Sequence, residues 1–349
     1  FAITENTRGN LWVGTDNGLN FLNRTTNIFS HFTHDPANDN TIAYDDIKAL
    51  EFDNKGNLWI GTNKGGLDYY DLKKKKAYHY KHEPNDPTSL SCDTIYGLLF
   101  DSNENLWVIT NDYLVDLSYS NIQILKKNKR GFIHLKEKGY FGIVESRSGD
   151  IWIGSIGGVW CFNNSDYSFT FIENDSIIGN VYSVYEDSRG TVWIGSDKGL
   201  VRYHHQTRAF SHFSEKNGHP FSTVYGILED KENNLWVSTN FGLVKFVKAV
   251  STIDNPVFRV YDSDDGLQSK QFNYNAYYKS RSGEMFFGGI NGLNAFFPEE
   301  IKENQYIPQI AITNLKIFNE TVPIGKNFRD RIILSKSITQ SDELLLSYK

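Results

Sequence analysis

One phrase recurs seven times along this chain at nearly even spacing, and this recurrence constrains the fold more than any other feature. Each copy is a short apolar run around an aromatic residue, as in Leu58-Trp59-Ile60-Gly61-Thr62, and neighbouring copies lie 41 to 50 residues apart. A Gly-Leu pair opens a second short run after most copies, as in Gly66-Leu67-Asp68-Tyr69. This period is the length of a four-stranded β-blade. The central aromatic residues are Trp12, Trp59, Trp107, Trp152, Trp193, Trp236 and Phe286.

Ten residues before each central aromatic lies a small residue, and the residue after it is apolar or aromatic. We interpret this segment as the innermost strand of its blade, because large side chains would collide where seven strands converge on one axis. Aromatic pairs such as Phe29-Ser30-His31-Phe32 predict the outer strand. The repeat thus predicts an all-β fold, a seven-bladed β-propeller of four-stranded antiparallel blades over residues 1–300. The small residues are Ala2, Ala49, Gly97, Gly142, Ser183, Gly226 and Ala276.

The seventh unit lacks a clear outer strand. Either its blade has three strands, or the stretch from Ile307 to Phe318 fills the edge. After Pro298 the repeat stops, and residues 301–349 predict a linker and the first strands of a partial β-sandwich. The alternating runs there are Pro308 to Phe318, Ile332 to Ser335 and Leu344 to Tyr348. Because the chain opens and stops inside strand-like runs, we expect a piece of a longer protein.

The third unit is the least regular. Ile109 replaces the glycine of its Trp strand, as Ser238 does in the sixth unit, and Tyr113 stands where other units have the turn glycine. The segment from Asn121 to Leu125 is a weak candidate for its outer strand.

Charge and cysteine content bound the partners. The net charge is -6, whereas a protein that binds nucleic acid usually presents a basic face, so we expect no nucleic-acid contact. Cys92 and Cys161 lie at different positions of different repeats, and a disulfide between them is not favoured. No apolar run approaches the roughly 20 residues that span a bilayer.

The polar residues favour structure over catalysis. His31, His79 and His212 take the same outer-strand position in three separate blades, so we expect no metal site and no cofactor. Asp53 and the aspartates at 101, 187 and 230 precede tight turns, where their side chains satisfy backbone groups. The tryptophans, at a fixed mid-strand position, are expected in the core. The sequence contains no Gly-x-Ser-x-Gly motif of a serine hydrolase, no His-Glu-x-x-His motif of a zinc protease and no P-loop motif.

Ligand candidates lie in turns at the face where the Trp strand ends and the next inner strand begins. Departures from the repeat there are informative, because packing does not require them. Exposed aromatic, amide and carboxylate groups together suit a carbohydrate. The candidate binding residues are Tyr113, Asn111, Asp112, Asn240, Phe241, Asp197, Lys198, Tyr44 and Asp46.

These phrases resemble a known family. The run Asp53-Asn54-Lys55-Gly56-Asn57-Leu58-Trp59-Ile60-Gly61-Thr62 is similar to the two-component regulator propeller repeat. The loops from His34 to Ile42 and from His82 to Leu90 look like the inter-blade loop of that family. The tail from Pro308 onward is similar to the start of the immunoglobulin-like domain that follows such propellers.

The resemblance implies a role for the chain. It would be a non-catalytic, periplasmic sensor region of a hybrid two-component system, which detects an oligosaccharide and signals to a cytoplasmic histidine kinase. Implied partners are a neighbouring propeller, the immunoglobulin-like domain and a second copy of the parent chain. Two alternatives stay open: a protein-interaction scaffold, and an enzyme of the propeller lyase type. The lyase would need histidine and carboxylate groups that converge at one end of the axis.

Overall fold

The computed structural model describes residues 2–110, 121–126, 131, 133–137, 140–174, 176–205, 207–251, 255–302, 312–341 and 343–344. The chain divides into two compact units, Phe1–Glu300 and Ile301–Lys349. The first unit consists of seven antiparallel sheets, each formed by one copy of the repeat with its strands in sequence order. Consecutive innermost strands contact one another around the ring, and the last contacts the first. The unit is therefore the seven-bladed β-propeller that the repeat predicts.

The strands of each blade are given from the axis outward. Blade 1 consists of β1 Ala2–Glu5, β2 Leu11–Thr15, β3 Gly18–Asn23 and β4 Ile28–Phe32, and blade 2 of β5 Ile47–Phe52, β6 Leu58–Thr62, β7 Leu67–Asp71 and β8 Lys76–Tyr80. Blade 3 consists of β9 Ile95–Phe100, β10 Leu106–Thr110, β11 Asn121–Leu125 and β12 Ile133–Glu137, and blade 4 of β13 Tyr140–Glu145, β14 Ile151–Ser155, β15 Gly158–Phe162 and β16 Phe169–Glu173. Blade 5 consists of β17 Val181–Glu186, β18 Val192–Ser196, β19 Gly199–His204 and β20 Ala209–Phe213, and blade 6 of β21 Val224–Glu229, β22 Leu235–Thr239, β23 Gly242–Val247 and β24 Val257–Tyr261. Blade 7 consists of β25 Phe272–Lys279, β26 Met285–Gly289 and β27 Gly292–Phe296. Short 3₁₀ helices are Glu215–Asn217, Ser263–Asp265, Pro298–Glu300 and Ile338–Gln340.

The second strand of each blade is the most buried element of the ring, because a neighbouring blade covers each of its faces. In blades 2 to 6 every residue of this strand is buried. Trp193 is fully buried, and an outer-strand aromatic residue lies against its ring, with Phe213 at 6.1 Å between centroids. Trp12 and Phe32 stack in the same way at 5.7 Å. The tryptophans thus form the core, as predicted, and are not exposed stacking platforms.

Neighbouring blades are joined by what we call the slot joint. A methyl group added at Gly14 would lie 2.5 Å from Cγ2 of Ile47, and one at Gly61 would lie 2.6 Å from Cγ2 of Ile95. Each glycine therefore leaves a slot for the β-branched residue that opens the next inner strand. Ala49 pairs directly with Gly61, so the small residue of the inner strand widens this slot. The predicted crowding at the axis is therefore only part of the reason for the small residues. The other slot joints are Gly154 with Val181 and Gly195 with Val224.

Blade 3 differs from its predicted strand order. The segment Asn121–Leu125 is not the outer strand: it pairs with β10 and takes the third position, while Ile133–Glu137 pairs outside it. In sequence, ten residues separate β10 from β11, against two between β18 and β19, so the next strand-forming segment along the chain fills the third position. These ten residues, 111–120, include Tyr113 and lie outside the described part of the chain.

The described part of blade 7 is a three-stranded sheet. Part of the stretch that could fill its edge, residues 307–311, lies outside the described residues, so both alternatives stay predictions. In the second unit, two hairpins form, Lys316–Ile317 with Glu320–Thr321 and Asn327–Phe328 with Arg331–Ile332. Residues 312–315 are not a strand, although the alternation predicts one there; residues 303–311 and 345–349 lie outside the described part. Within the described residues, no helix is long and apolar enough to cross a membrane.

Candidate functional site

The ring has two faces that differ in their connections. Each inner strand begins where the second strand of its blade ends, as the pairs Ile47 with Thr62 and Val224 with Thr239 show. We call this side the upper face; it carries the loops that enter the inner strands. The lower face carries the turns from the inner to the second strand, such as residues 53–57.

Carboxylates on the lower face hold its turns. Asp187 accepts hydrogen bonds from the backbone of Arg189 and Thr191, both at 2.9 Å, and from the indole nitrogen of Trp193 at 2.8 Å. Asp53 accepts from the backbone of Asn57 at 2.7 Å. The predicted turn-stabilising role of these aspartates is confirmed, and in blades 3, 5 and 6 the same side chain also satisfies a buried indole.

Glutamates at the ends of inner strands join adjacent blades on the lower face. Glu186 accepts a hydrogen bond from the backbone nitrogen of Arg147 in the preceding blade, at 2.7 Å. Glu5 accepts two from Arg281, one from the backbone nitrogen and one from Nε, both at 2.8 Å. This last contact joins blade 7 to blade 1 and so closes the ring. These lower-face carboxylates have structural partners, which directs the search for a ligand site to the upper face.

Three of the predicted binding residues form latches on the upper face. Asp46 accepts a hydrogen bond from Nδ2 of Asn63 at 2.8 Å. Asp197 accepts from the backbone of Asn180 at 3.0 Å, and Asn240 from the backbone of Thr223 at 3.2 Å. Each latch ties the turn after a second strand to the loop that enters the inner strand of the same blade. These side chains already accept hydrogen bonds from the protein, so fewer of their hydrogen-bonding groups are available to a ligand.

Other predicted residues are open to solvent on the same face. Tyr44 is 39% exposed and Phe241 is 62% exposed. Lys198, with Asp197 and Phe221, lines a groove of about 410 Å³. The predicted residues Asn111, Asp112 and Tyr113 lie outside the described residues.

A ring of aromatic side chains around the axis was not predicted. Tyr182 lies 5.3 Å from Phe141, 5.6 Å from Tyr225 and 6.4 Å from Tyr274, between ring centroids. Tyr274 also stacks on Tyr96 at 6.3 Å. We call these five residues the aromatic collar. Four of them directly precede the small residue of an inner strand, so an alignment of the repeats at this position contained the signal. Since this position is at the start of the inner strands, the collar lies toward the upper face.

Tyr274 reaches across the channel because of an irregular inner strand in blade 7. Phe272 pairs with Gly289 and Tyr277 with Phe287, so three extra residues bulge from β25. Asn275 in this bulge has a φ of 59° and donates a hydrogen bond from Nδ2 to the carbonyl of Tyr96 in blade 3, at 2.9 Å. The bulge therefore places its residues against blade 3, on the opposite side of the ring from a regular blade-7 position.

Metal-binding and thiol chemistry find little support in the described part of the chain. No group of three or more histidine, cysteine, aspartate or glutamate side chains comes together there. Cys92 and Cys161 form no disulfide in this part, and burial raises the pKa of Cys161 to about 11, so the Cys161 thiol is protonated at neutral pH. His79 is held by Asp68, at 2.6 Å, within one blade.

Comparison with known sequences gives two findings. Residues 41–64, 176–198 and 218–241 match the sequence family described as the two component regulator propeller. Histidine kinase P4 of Formosa agariphila is 38% identical over 89 residues, which make up 26% of this chain and 6% of that kinase. The chain thus spans a small part of the relative that it matches.

Comparison with solved structures shows the fold. The extracellular domain of a hybrid two component system from B. thetaiotaomicron has a TM-score of 0.69 at 23% identity, over 84% of this chain and 39% of that one. PorZ, a surface component of the type-IX secretion system of Porphyromonas gingivalis, has a TM-score of 0.61 at 18% identity, over 83% and 45% of the two chains. A streptogramin B lyase has a TM-score of 0.58 at 15% identity, over 84% and 92%.

Proposed function

Since this chain carries the repeats of the two-component regulator propeller family, we propose that it is part of the periplasmic sensor region of a hybrid two-component system. In this proposal the propeller binds an oligosaccharide without transforming it, and the parent protein, as a dimer, passes the signal to a cytoplasmic histidine kinase. A neighbouring propeller and an immunoglobulin-like domain belong to the same region, and nucleic acid is not contacted by this part.

The aromatic collar is the observation that supports a glycan ligand. Sugar rings have apolar faces and a rim of hydroxyl groups, so they are recognised by partly exposed aromatic rings flanked by polar groups. Tyr182, Tyr225 and Tyr274 are partly exposed near the axis, and the side-chain amide of Asn275 lies beside them. Phe241 adds an exposed ring on the same face.

The proposal is tested by calorimetric titration of the complete sensor region with purified oligosaccharides. The variants Tyr182→Ala and Tyr225→Ala should each weaken binding at least about fivefold, which corresponds to roughly 1 kcal/mol for the loss of a contacting aromatic ring. Tyr167→Ala is the matched control, because this tyrosine is 69% exposed and follows the third strand of blade 4, away from the upper face.

Three outcomes are informative. Loss of binding in the collar variants and not in the control supports the proposal. Equal binding by all variants would place the ligand elsewhere. If no oligosaccharide binds to the complete region, the glycan proposal is wrong.

A protein-interaction scaffold is the second candidate, and an apolar groove between blades 7 and 1 favours it. A groove of about 480 Å³ between blades 7 and 1 is lined by Phe29, Ile290 and Leu293, and the first two are 62% and 59% exposed. Apolar groups beside a sheet edge that no strand of the described residues covers suit a strand of a partner protein. Capture of a protein partner by the sensor region, with competition from a strand peptide, would support this candidate.

The lyase alternative has weaker support. No histidine of the described residues lines the axial cavity, where the predicted catalytic arrangement would need one. The likeness to the streptogramin B lyase concerns the fold. Turnover of an oligosaccharide by the sensor region would nevertheless revive an enzymatic role, and the products of the calorimetric samples can be assayed for it.

A further inference from the structure

A cavity of about 200 Å³ lies in the channel, beside the aromatic collar. Its walls are inner strands of blades 1, 2, 3, 4 and 7, and its polar side chains include Thr4, Lys48, Glu51 and Asn275. Rings of Tyr96 and Phe141 and the side chains of several aliphatic residues complete it. Pockets for drug-sized ligands measure roughly 300–1,000 Å³, so this cavity fits one small ring.

Glu51 is the unusual member of this wall. Each inner strand places one residue opposite the central aromatic of the second strand, and Glu51, opposite Trp59, is the only carboxylate at that position. Blades 3 and 6 have leucine there. The full set at this position is Thr4, Glu51, Leu99, Val144, Tyr185, Leu228 and Tyr278.

The carboxyl group of Glu51 has no hydrogen-bond partner among the residues that the structure describes. The inner-strand glutamates Glu5, Glu186 and Glu229 differ, because each joins a neighbouring blade. Burial raises the pKa of Glu51 to about 8, with no compensating charge. At neutral pH this group is therefore an uncharged acid, with one donor and free acceptor capacity, in the wall of an open cavity.

The charge balance of the cavity selects the ligand. The ammonium group of Lys48 is 2.7 Å from Asp46, so its charge is already neutralised within the protein. A cationic ligand would find no charged carboxylate to pair with, because Asp46 is paired and Glu51 is protonated, and an anionic ligand would find an ammonium group that is already paired. An uncharged compound with several hydroxyl groups avoids both costs and can use the carboxyl group of Glu51, the hydroxyl of Thr4 and the amide of Asn275.

We propose that the axial cavity binds a single uncharged sugar ring, the terminal unit of the ligand, through hydrogen bonds to the Glu51 carboxyl group. This inference rests on the proposed glycan-sensing function and assigns the place of one ring within it. The bulge of blade 7 borders both the collar and this ring, since Tyr274 belongs to the collar and Asn275 lines the cavity.

The test compares two substitutions at one position by calorimetry on the complete sensor region. The probes are a panel of neutral monosaccharides, one amino sugar as the cationic comparison, and the oligosaccharide with the highest affinity. Glu51→Gln keeps a donor and an acceptor and should keep binding within about threefold, whereas Glu51→Leu should lose at least about tenfold. Leucine is the natural residue here in two other blades, so this variant should fold. Glu173→Gln, an exposed residue of an outer strand, is the control.

The same titrations at several pH values add a second readout. Wild-type binding should fall as the pH rises above about 8, while Glu51→Gln binding stays level. The other titratable or charged groups around Glu51 are Lys48 and Asp46 at the start of its own blade, Tyr96 of β9, and the two tyrosines of β25, Tyr277 and Tyr278. Burial raises the pKa of both tyrosines to about 12, so neither titrates in this range.

The outcomes separate the two proposals. If collar variants lose the oligosaccharide and Glu51→Leu binds it as wild type does, glycan sensing stands and the cavity assignment is wrong. If Glu51→Gln loses binding and an amino sugar binds best, the cavity recognises a cation, and the assignment is also wrong. If no sugar binds at all, both proposals fail.

Discussion

The contact between Glu5 and Arg281 offers the sharpest test of how the ring is held closed. These residues lie 276 positions apart in sequence and join the first blade to the last. The Glu5 side chain is 4% exposed, and it accepts two hydrogen bonds from Arg281. Substitution by alanine removes both and leaves the backbone N–H of Arg281 without its acceptor.

The expected cost follows from these contacts. A hydrogen bond to a charged group contributes about 1.5–3 kcal/mol, and an exposed ion pair adds at most about 1 kcal/mol. Because the Arg281 side chain is 61% exposed, its ion pair with Glu5 is screened by water, and we take its contribution from the lower end of these ranges. We therefore expect Glu5→Ala to reduce the free energy of unfolding by about 2–3 kcal/mol.

Glu186→Ala is the matched control for this prediction. Glu186 accepts from the backbone of Arg147 within the same Ser-Arg-Ser-Gly turn sequence that contains Arg281, but the Arg147 guanidinium donates to the carbonyl of Ser188 instead. Its loss should cost about 1.5–2 kcal/mol at an internal junction, the lower part of the same range, because Glu186 is less buried than Glu5.

Urea unfolding followed by tryptophan fluorescence measures both variants. Glu186→Ala should shift the midpoint with an unchanged slope, because the ring remains closed. Glu5→Ala should shift it further, and limited proteolysis should detect early cleavage in blades 1 and 7. The reasoning is refuted if Glu5→Ala costs no more than Glu186→Ala and blades 1 and 7 are cleaved no faster.

Three further predictions concern single side chains. In the folded protein the pKa of Glu51 is about 8, above its ordinary value of 4.5. Wild type should therefore lose stability relative to Glu51→Gln as the pH rises from 4.5 to about 8, by about 1.4 kcal/mol per pH unit and up to a few kcal/mol in all. Thermal melts at several pH values would show this loss. The Asp68 carboxylate raises the pKa of His79, so the stability that this pair contributes is complete below the ordinary value of 6.5 and is lost as the pH rises through the raised value; His79→Gln should therefore be more damaging at about pH 5.5 than at about pH 9. Gly61→Ala would place a methyl group 2.6 Å from Cγ2 of Ile95 and should cost about 1–3 kcal/mol in urea unfolding.

Each of these has an outcome that contradicts it. A constant stability difference between Glu51→Gln and wild type from about pH 5 to about pH 9 would mean that Glu51 is solvated. An equal effect of His79→Gln at both pH values would mean that the histidine does not change its charge between them. If Gly61→Ala costs no more than Ser238→Ala, the slot joint does not limit packing.

The sequence predicts the ring because the same local arrangement is repeated. Trp59 and its counterparts lie at one strand position, and the small residues such as Ala49 mark a second position independently. What repeats is set by local pairing and by packing against an equivalent neighbour, so one copy informs all the others. The Asp-capped turns could be predicted for the same reason, since residues 53–57 contain both the acceptor and its donors.

Features that depend on contacts across the ring could not be predicted in this way. Asn275 and Tyr96 come from blades 7 and 3, and only the closed ring brings them together. The third strand of blade 3 was misplaced because an insertion, residues 111–120, has no counterpart elsewhere. Asp46 and Asn240 looked like departures available for a ligand, whereas their partners, in loops 17 residues away, were not evident from the repeat.

The slot joint is absent at three of the seven junctions, and this has a mechanical consequence. Ile109 replaces its glycine at the junction of blades 3 and 4, and Ser238 replaces it between blades 6 and 7, where the bulge around Tyr274 also begins. Between blades 7 and 1 the next inner strand opens with Ala2, which has no branched side chain to fill a slot at Gly288. These three junctions divide the ring into two arcs of three blades, 1–3 and 4–6, with blade 7 between them. We expect each arc to move as a stiff body and the ring to flex at the three junctions, so a ligand that pulls on the bulge of blade 7 would tilt one arc against the other. Such a tilt would convert ligand binding at the axis into a displacement of the outer strands at the rim, where a neighbouring domain can respond to it.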